Sequence, residues 1–263
     1  MRRMGTGFSF EAVNAEDYDD LRPQYAPEAV AWVAERSELR EGSLVVDLAA
    51  GTGQLSRRFA LLGMDVVAVE PAANMRATLA ERFPALRVDA GTAESIPLDD
   101  GAAEAVVVGN AFHHFDADAA YVEIRRVLRP FGALALFWAW PLEEEQFARY
   151  PALGEVSEAV ERSRGVVTTG TATAVGIAAA YRAFATPAGR INGYTDAERR
   201  EFPLTHVVPS ARLADLYATS SDIASLPGQD RSILLGTIRD LAAGLPETLE
   251  LPAVSVVDLR FRD

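Results

Sequence analysis

Residues 45–55 read VVDLAAGTGQL: an apolar run, one carboxylate, a loop of small residues and the start of a predicted helix. Gly51 and Gly53 allow the backbone to approach a ligand closely, and the start of a helix offers free N–H groups. A dinucleotide-binding loop has the pattern G-x-G-x-x-G, but Ala49 stands at the position of its first glycine. The stretch therefore predicts a strand, a ligand-binding loop and a helix, and it leaves the ligand open.

Two carboxylates narrow the choice of ligand. Asp47 ends the first predicted strand, where its charge would repel a pyrophosphate and attract a cation. A ligand with an ammonium, a sulfonium and an adenosine fits that layout better. Glu70 ends the next predicted strand, in VVAVEPAANM, where a carboxylate can accept hydrogen bonds from both ribose hydroxyls. The structural alternatives are a tight turn that binds nothing and a glutamate in an exposed loop.

Short apolar strands alternate with amphipathic helices through the first 140 residues. The predicted strands are 43–48, 65–69, 86–88, 105–109 and 133–138. Pro27 and Asp116 open two of the helices, and Gly63 ends another, whose face carries Leu55, Phe59 and Leu62. This alternation predicts a parallel sheet that is covered by helices on both faces.

Two further strands are predicted at 204–208 and 254–261, and partial alternation in the last one is typical of an antiparallel strand near a sheet edge. The predicted fold class is α/β: a doubly wound, Rossmann-like, mostly parallel sheet of seven strands, the last one antiparallel, with a helical cap insertion. We expect residues 1–140 to form an N-terminal arm and the cofactor-binding core. Residues 141–200 would cap the carboxyl ends of the strands, where such sheets bind ligands, and 201–263 would complete the core.

Composition argues against several classes of protein. The chain of 263 residues carries a net charge of −13, and its longest basic clusters are short arginine pairs, which predicts no nucleic-acid partner. It contains no cysteine and no lysine, so disulfides, thiolate nucleophiles, Schiff-base lysines and Walker loops are excluded. With no signal-peptide pattern and no long apolar run, we expect a cytoplasmic protein without a membrane partner, as a monomer or homodimer.

Five motifs together resemble a known family. VVDLAAGTG, VVAVEPAANM, GTAESIPL, NAFHHFD and VLRPFGALALF are similar to successive motifs of the class I S-adenosylmethionine-dependent methyltransferases. They are most similar to the small-molecule branch that includes the ubiquinone/menaquinone-type enzymes, methyltransferase type 11. Residues 18–27 (YDDLRPQYAP) resemble that branch's N-terminal Y-x-x-x-R-P-x-Y-P signature. The resemblance is strong over about residues 15–140 and weak elsewhere.

The resemblance implies that S-adenosyl-L-methionine is the cofactor. The residues that it implies around this cofactor are Asp47, Ala49, Gly51 and Gly53 in the loop of the methionine part, Glu70 at the ribose, Pro71, Met75, Ala93 and Glu94 near the adenine, Asn110 and Ala111 at the fourth strand, and Tyr18, Arg22 and Tyr25 in a closing N-terminal segment. Ala49 departs from the family's first glycine, and we expect it to fit with a negative φ. Ala26 likewise interrupts the Y-P pair of the signature.

The three histidines are the candidates for acid–base chemistry. His113 and His114 follow the fourth strand, and one of them could act as general base on a substrate hydroxyl or amine, with His114 preferred. The alternative is that this pair is a packing feature of the loop. For His206 a structural role is favoured, and no ligand spacing supports a metal site. Trp138 and Trp140 could wall a substrate pocket or belong to the core.

The sequence therefore predicts a methyltransferase acting on a small molecule, in secondary metabolism for example. A substrate O, N or C nucleophile would displace the methyl group in line, and the protein would contribute proximity and alignment. One alternative is an enzyme with this fold that performs other chemistry, such as a cyclisation. A second is a non-catalytic cofactor-binding partner. A nicotinamide dehydrogenase is a weaker alternative, because the third glycine is missing.

Overall fold

A computed structural model describes residues 13–163 and 191–263 of the chain, without the side chains of 221 and 222. The arm predicted at residues 1–10 and part of the predicted cap lie outside the described residues. The strands are β1 (Leu44–Leu48), β2 (Asp65–Val69), β3 (Arg87–Asp89), β4 (Ala103–Gly109), β5 (Leu128–Pro141), β6 (Glu198–Pro209) and β7 (Thr248–Phe261). The α-helices are α1 (Ala15–Leu21), α2 (Pro27–Arg36), α3 (Ser56–Leu61), α4 (Ala73–Arg82), α5 (Ala117–Val127), α6 (Glu143–Arg149), α7 (Ala152–Ser163), α8 (Leu213–Ala218), α9 (Ser221–Ala224) and α10 (Gly228–Ala242).

The seven strands form one sheet in the order β3-β2-β1-β4-β5-β7-β6. The pairs β1–β2, β1–β4, β2–β3 and β4–β5 are parallel. Strand β7 runs antiparallel to β5, since the Arg262 N–H donates to the Gly132 carbonyl while the Phe131 N–H donates to the Arg262 carbonyl. The predicted α/β class, with seven strands and an antiparallel last strand, is confirmed.

Strand β7 lies near the sheet edge, as its sequence suggested, but it is not the edge strand. It lies between β5 and β6, and β6 forms the edge. Residues 253–260 are all buried, which is typical of an interior strand with both faces covered. The edge strand β6 begins at Glu198, six residues before the predicted start at 204. Its first residues are charged, which is typical of an exposed sheet edge.

The described residues divide into two compact units. The core unit comprises residues 24–140, 191–204 and 253–263, and the helical unit comprises 13–23, 141–163 and 205–252. The chain changes unit at residues 140–141, and residues 205–252 group with the helical unit. The division into a cofactor-binding core and a substrate cap stays a prediction.

The hydrophobic centre of the core unit lies where α2 and α3 cover the central strands. Val30 and Val33 of α2 are buried there, as is Phe59 of α3, whose ring lies 6.2 Å from that of Phe137 on β5. Gly63, with φ of 85°, ends α3 as predicted. Leu62 was expected on the buried face, but it is 45% exposed because the helix ends at Leu61 and releases it to solvent.

The helical unit has a hydrophobic centre of its own. Its buried residues come from α7, α8 and α10 and from the first residues of β7: Leu153, Val156, Val160, Leu213, Ile238 and Leu249 among others. Gln146 on α6 donates its amide to the Pro252 carbonyl at 2.7 Å, which fixes that helix to the strand. Within the described ranges, no helix has the length and apolar character needed to cross a membrane.

Two ion pairs on β6 give a test of this architecture. Arg199 makes a two-bond pair with Asp258 of β7, at 2.8 and 2.9 Å, and the Asp258 side chain is 2% exposed. Arg199→Met leaves a buried carboxylate without this partner, so we expect the free energy of unfolding to fall by about 2 kcal/mol. Urea denaturation measures the loss.

The matched control is the neighbouring pair Arg36–Glu198, which also has two bonds but has side chains 51% and 40% exposed. Because water screens an exposed pair, Arg36→Gln should change the free energy of unfolding by less than about 0.5 kcal/mol. Equal losses in both variants would show that burial of Asp258 does not decide the energetics of this edge.

Candidate active site

The loop between β1 and α3 turns through residues with a left-handed backbone. Ala49, Gly51 and Gly53 have φ values of 56°, 57° and 88°. The Ala50 N–H donates to the Val69 carbonyl at 3.2 Å, which ties the loop to the end of β2. A Cβ atom on Gly51 would meet nothing within 4 Å, whereas one on Gly53 would lie 3.0 Å from the Leu79 Cγ. Gly51 therefore faces open space, and Gly53 allows the loop to pack on α4.

Ala49 does not have the negative φ expected from the sequence. Its φ of 56° places its Cβ close to its own carbonyl oxygen, which costs about 1–2 kcal/mol for an L-residue. The physical reason is that the chain must turn sharply after β1 while Ala50 stays bonded to β2. This is the position at which the resembling family has glycine, and alanine keeps the same conformation with strain.

Asp47 lies at the carboxyl end of β1 and is 1% exposed. Its Oδ2 accepts a hydrogen bond from the Ser56 hydroxyl at 2.5 Å, and the Ser56 backbone N–H donates to the same carboxylate. Burial raises the pKa of Asp47 to about 7, the two Ser56 hydrogen bonds act against this, and the charge of Glu70 raises it further. Sequence reasoning missed Ser56, although a small polar residue at the start of a helix was a usable signal.

Glu70 lies at the carboxyl end of β2 and is also buried. Its two carboxylate oxygens accept from backbone N–H groups, one from Gly51 at 2.9 Å and the other from Ala72 at 2.8 Å. Burial raises the pKa of Glu70, while these hydrogen bonds and the charge of Arg76 lower it. The Arg76 guanidinium donates to the backbone carbonyl of Glu70 at 2.9 Å and not to its carboxylate. Glu70 thus joins the glycine loop to the start of α4.

The loop after β3 contributes Ala93 and Glu94. Ala93 is 3% exposed, and Glu94 Oε1 accepts from the Asp116 N–H at 3.0 Å, which joins this loop to the one after β4. Pro71 is exposed beside Glu70. Met75 is 2% exposed on the inner side of α4, so it belongs to the core in this structure.

Asn110 joins the end of β4 to β5 through two hydrogen bonds. It has a left-handed φ of 51°, its N–H donates to the Phe137 carbonyl at 2.8 Å, and its Oδ1 accepts from the Ala139 N–H at 2.9 Å. Ala111 follows and leads into the short 3₁₀ turn Phe112–His114. The strand end is thereby held at a fixed distance from β5.

Tyr25 packs on the end of β4. It is 4% exposed, its ring lies 5.7 Å from that of Phe137, and a Cβ on Gly109 would collide with its hydroxyl. The neighbouring residues hold this segment in place, since Arg57 donates to the Gln24 side chain and the Ala26 N–H donates to the Ser255 hydroxyl at 2.9 Å. Tyr25 therefore lies among the strand ends of the core unit.

The two adjacent histidines lie side by side at this edge. Solvent reaches part of each residue, and the rest packs against the protein. The centroids of their rings are 3.9 Å apart, and the ring of His113 lies 5.8 Å from that of Trp138. Trp138 is buried, and its ring stacks on that of Trp140 with a centroid distance of 5.9 Å. Burial against the protein lowers the pKa of His113 to about 4, with a further lowering from the charge of His114. Burial also lowers the pKa of His114. Both rings are therefore mainly neutral at pH 7.

Three of the predicted residues lie in the helical unit. Arg22 donates to the Thr219 carbonyl at 3.2 Å and to the Ser220 hydroxyl at 3.1 Å, and its guanidinium lies 5.4 Å from the centre of the Tyr18 ring. Burial lowers the pKa of His206, with a smaller raising effect from its hydrogen bond to the Leu21 backbone. The roles of Tyr18 and Arg22 toward a cofactor stay predictions. Over residues 13–163 and 191–263, no three His, Asp or Glu side chains form a metal-binding cluster.

The order of the strands in the sheet and the glycine-containing loop after β1 are those of a class I methyltransferase fold. Comparison with known proteins agrees. Residues 46–136 match the family described as the methyltransferase domain. An uncharacterised methyltransferase of Mycobacterium bovis is 33% identical over 244 residues, which cover 91% of this chain and 90% of that protein. The chain belongs to the class I S-adenosylmethionine-dependent methyltransferases.

One further similarity is limited in length and another in sequence identity. A demethylmenaquinone methyltransferase of Beutenbergia cavernae is 39% identical over 98 residues, which cover 37% of this chain and 41% of that protein. The solved structure of a candidate type II methyltransferase from Anaeromyxobacter dehalogenans superposes with a TM-score of 0.58 at 22% identity, covering 92% of this chain and 97% of that one. The second likeness supports the fold.

The strain at Ala49 can be tested by Ala49→Gly. Glycine adopts a left-handed φ without a steric penalty, so we expect the free energy of unfolding to rise by about 0.5–1 kcal/mol after the added unfolded-state entropy is subtracted. Thermal unfolding should show a Tm higher by about 2–3 °C. The matched control is Ala50→Gly, because Ala50 is not among the residues with positive φ and its substitution should lower stability. Destabilisation by both variants would contradict the strain.

Proposed function

We propose that the cofactor lies over the loop 49–53 and that the methyl acceptor is a small molecule. The observation that carries the cofactor position is the pair of buried carboxylates around that loop, Asp47 behind it and Glu70 bonded to the Gly51 N–H. A cationic ligand with a ribose matches this pair, since the site is acidic and the space above Gly51 is open.

The residues present fit S-adenosylmethionine on chemical grounds. Asp47 is almost fully buried, so its charge would act on the methionine ammonium through the loop and not by direct contact. Each Glu70 oxygen accepts one backbone hydrogen bond and retains a lone pair for a ribose hydroxyl. When bound, the cofactor supplies an electrophilic methyl group. Asn110, held between β4 and β5, and the buried Ala93 would line the same edge of the sheet.

The acceptor is proposed from the surface and from one relative. A net charge of −13 does not favour a nucleic-acid acceptor, whose phosphates such a surface would repel. The relative from Beutenbergia cavernae is a demethylmenaquinone methyltransferase, and its match covers 98 residues. We infer an acceptor of that general kind, a small organic molecule methylated at O, N or C, without assigning its structure.

His114 is the proposed general base. At pH 7 its imidazole is mainly neutral and can accept a proton from an acceptor hydroxyl or amine. His113 has its pKa lowered to about 4, partly by the charge of His114, so it is the weaker base of the two. Alignment by the fixed ends of β4 and β5 would supply the remaining catalysis.

The cofactor position is tested by Glu70→Gln. S-adenosylmethionine at about 100 times its Kd should stabilise the wild-type protein by about 2.7 kcal/mol, seen as a rise in Tm. Glutamine can keep one backbone hydrogen bond but loses the charge and one acceptor, so we expect a Kd at least tenfold higher. Isothermal titration calorimetry measures that Kd.

The matched control is Glu104→Gln. Glu104 also accepts a backbone hydrogen bond, from Leu44 at 2.7 Å, and it pairs with Arg129 at 3.0 Å. It belongs to β4 near the amino ends of the strands, so its substitution should leave the Kd unchanged. An unaltered Kd in Glu70→Gln, or an equal change in both variants, would refute the ribose role.

The acceptor class is tested with S-adenosylmethionine labelled in its methyl group and an extract of the source cells. Label should enter the low-molecular-mass fraction, and transfer should fall at least 100-fold in His114→Asn and less in His113→Asn, because general base catalysis contributes about 10²–10⁴-fold. The Kd for the cofactor should stay within a factor of about two in both variants. Label that enters protein or nucleic acid would contradict a small-molecule acceptor, and equal losses in the two variants would contradict the assignment to His114.

A further inference from the structure

Ser56 lies at the start of α3 and directs both of its donors at one carboxylate. It is 0% exposed, its hydroxyl donates to Asp47 Oδ2 at 2.5 Å, and its backbone N–H donates to the same carboxylate. A hydroxyl–carboxylate distance this short is typical of a charge-assisted hydrogen bond, which is about twice as strong as a neutral one. The arrangement favours the ionised form of Asp47, since both donors make stronger hydrogen bonds to a carboxylate than to a neutral carboxyl group.

The charged groups around Asp47 do not provide this stabilisation. The charge that acts on it most comes from Glu70 at the end of β2, which is also acidic. Arg76 on α4 donates to the backbone carbonyls of Glu70 and Pro71, and Arg57 on α3 donates to Gln24. Ser56 therefore supplies the interactions that oppose burial of the Asp47 charge.

We propose that Ser56 is a positioning residue for cofactor binding: it holds Asp47 ionised beneath the loop 49–53 and so sets the lowest pH at which the enzyme retains its cofactor. This inference rests on the proposed function, in which the Asp47 charge faces the cationic methionine part. It adds a residue and a proton-dependent property to that site.

The direction of the pH effect follows from the burial of Asp47. Burial raises its pKa to about 7 in the folded protein, so the carboxylate is lost progressively below pH 7. A cationic ligand binds the ionised form better, and its affinity should fall as the pH drops, approaching tenfold per pH unit. Without the Ser56 hydroxyl the pKa of Asp47 should rise further, because a hydrogen bond to the charged form is lost.

The test measures the Kd of S-adenosylmethionine by calorimetry between pH 5.5 and 8.5 for the wild type and for Ser56→Ala. A hydrogen bond to a charged group corresponds to a shift of about one pH unit in the midpoint. The variant should then bind about fivefold more weakly at pH 7 and nearly as well as the wild type at pH 8.5. The ligand's amino group titrates near pH 8, and the ratio of variant to wild type removes that contribution.

Two substitutions separate positioning from stability. Ser56→Thr keeps the hydroxyl and should restore the wild-type midpoint, whereas Asp47→Asn should bind weakly, with no dependence on pH beyond that of the ligand's amino group. Ser255→Ala is the matched control, because Ser255 is also 0% exposed and its hydroxyl accepts from the Ala26 N–H. It should lower stability and leave the midpoint in place.

The outcomes are distinct. A variant-to-wild-type ratio that stays constant from pH 5.5 to 8.5 would show that Ser56 is only structural. A Kd of Asp47→Asn that still rises as the pH falls below 7, where the ligand's amino group stays protonated, would show that another group of the protein titrates. Either result overturns the inference while the wild type still binds. Absence of binding by the wild type at every pH would instead refute the proposed function.

Discussion

A buried carboxylate at the end of a central strand has to be stabilised by hydrogen-bond donors that are held close to it. In this protein Asp47 is buried between neighbouring strands, and its hydrogen bonds come from the first residue of α3. Because the helix must begin where it can reach that carboxylate, the chain between β1 and α3 is short and tightly turned. The left-handed residues and the glycines accompany this turn, and the hydrogen bond from Ala50 to Val69 adds the strain at Ala49.

The same loop is bonded to a second buried carboxylate, Glu70. Glu70 reaches the loop from the end of β2 and satisfies the Gly51 N–H, so the loop is bonded to the adjacent strand end. Both carboxylates are buried, and burial raises the pKa of each. Buried charges of this kind lower the free energy of unfolding unless a bound ligand compensates them. Buried carboxylates at strand ends therefore indicate a binding site.

Much of the fold could be predicted because its signals are local. The strands at 44–48, 65–69 and 103–109 are apolar runs between helices, and Pro27 and Gly63 mark helix ends by their own backbone preferences. The start of β6 could not be predicted in this way, since its charged residues suit an exposed edge and carry no apolar period. The interior position of β7 depends on pairing between residues far apart in the chain.

The candidate site, like the fold, could be predicted only where its signals are local. The loops after β1, β2 and β4 were located from their motifs, yet the partners of Asp47 and Glu70 were not, because those hydrogen bonds join separate elements. The negative φ expected for Ala49 was wrong for the same reason, because the hydrogen bond from Ala50 to Val69 in the next strand sets its conformation. Arg22 is bonded to Thr219 and Ser220, nearly 200 residues later in the chain.

The division of the chain into units has a consequence for how this enzyme could be engineered or could evolve. The helical unit is assembled from three separate stretches, and the chain passes between units within β6 and β7 as well as at residues 23–24 and 140–141. It is therefore not a cassette that a single recombination event could exchange. Variation in this unit therefore has to arise by substitutions within the existing segments, while the loop 49–53 is inherited with a core unit that is itself discontinuous.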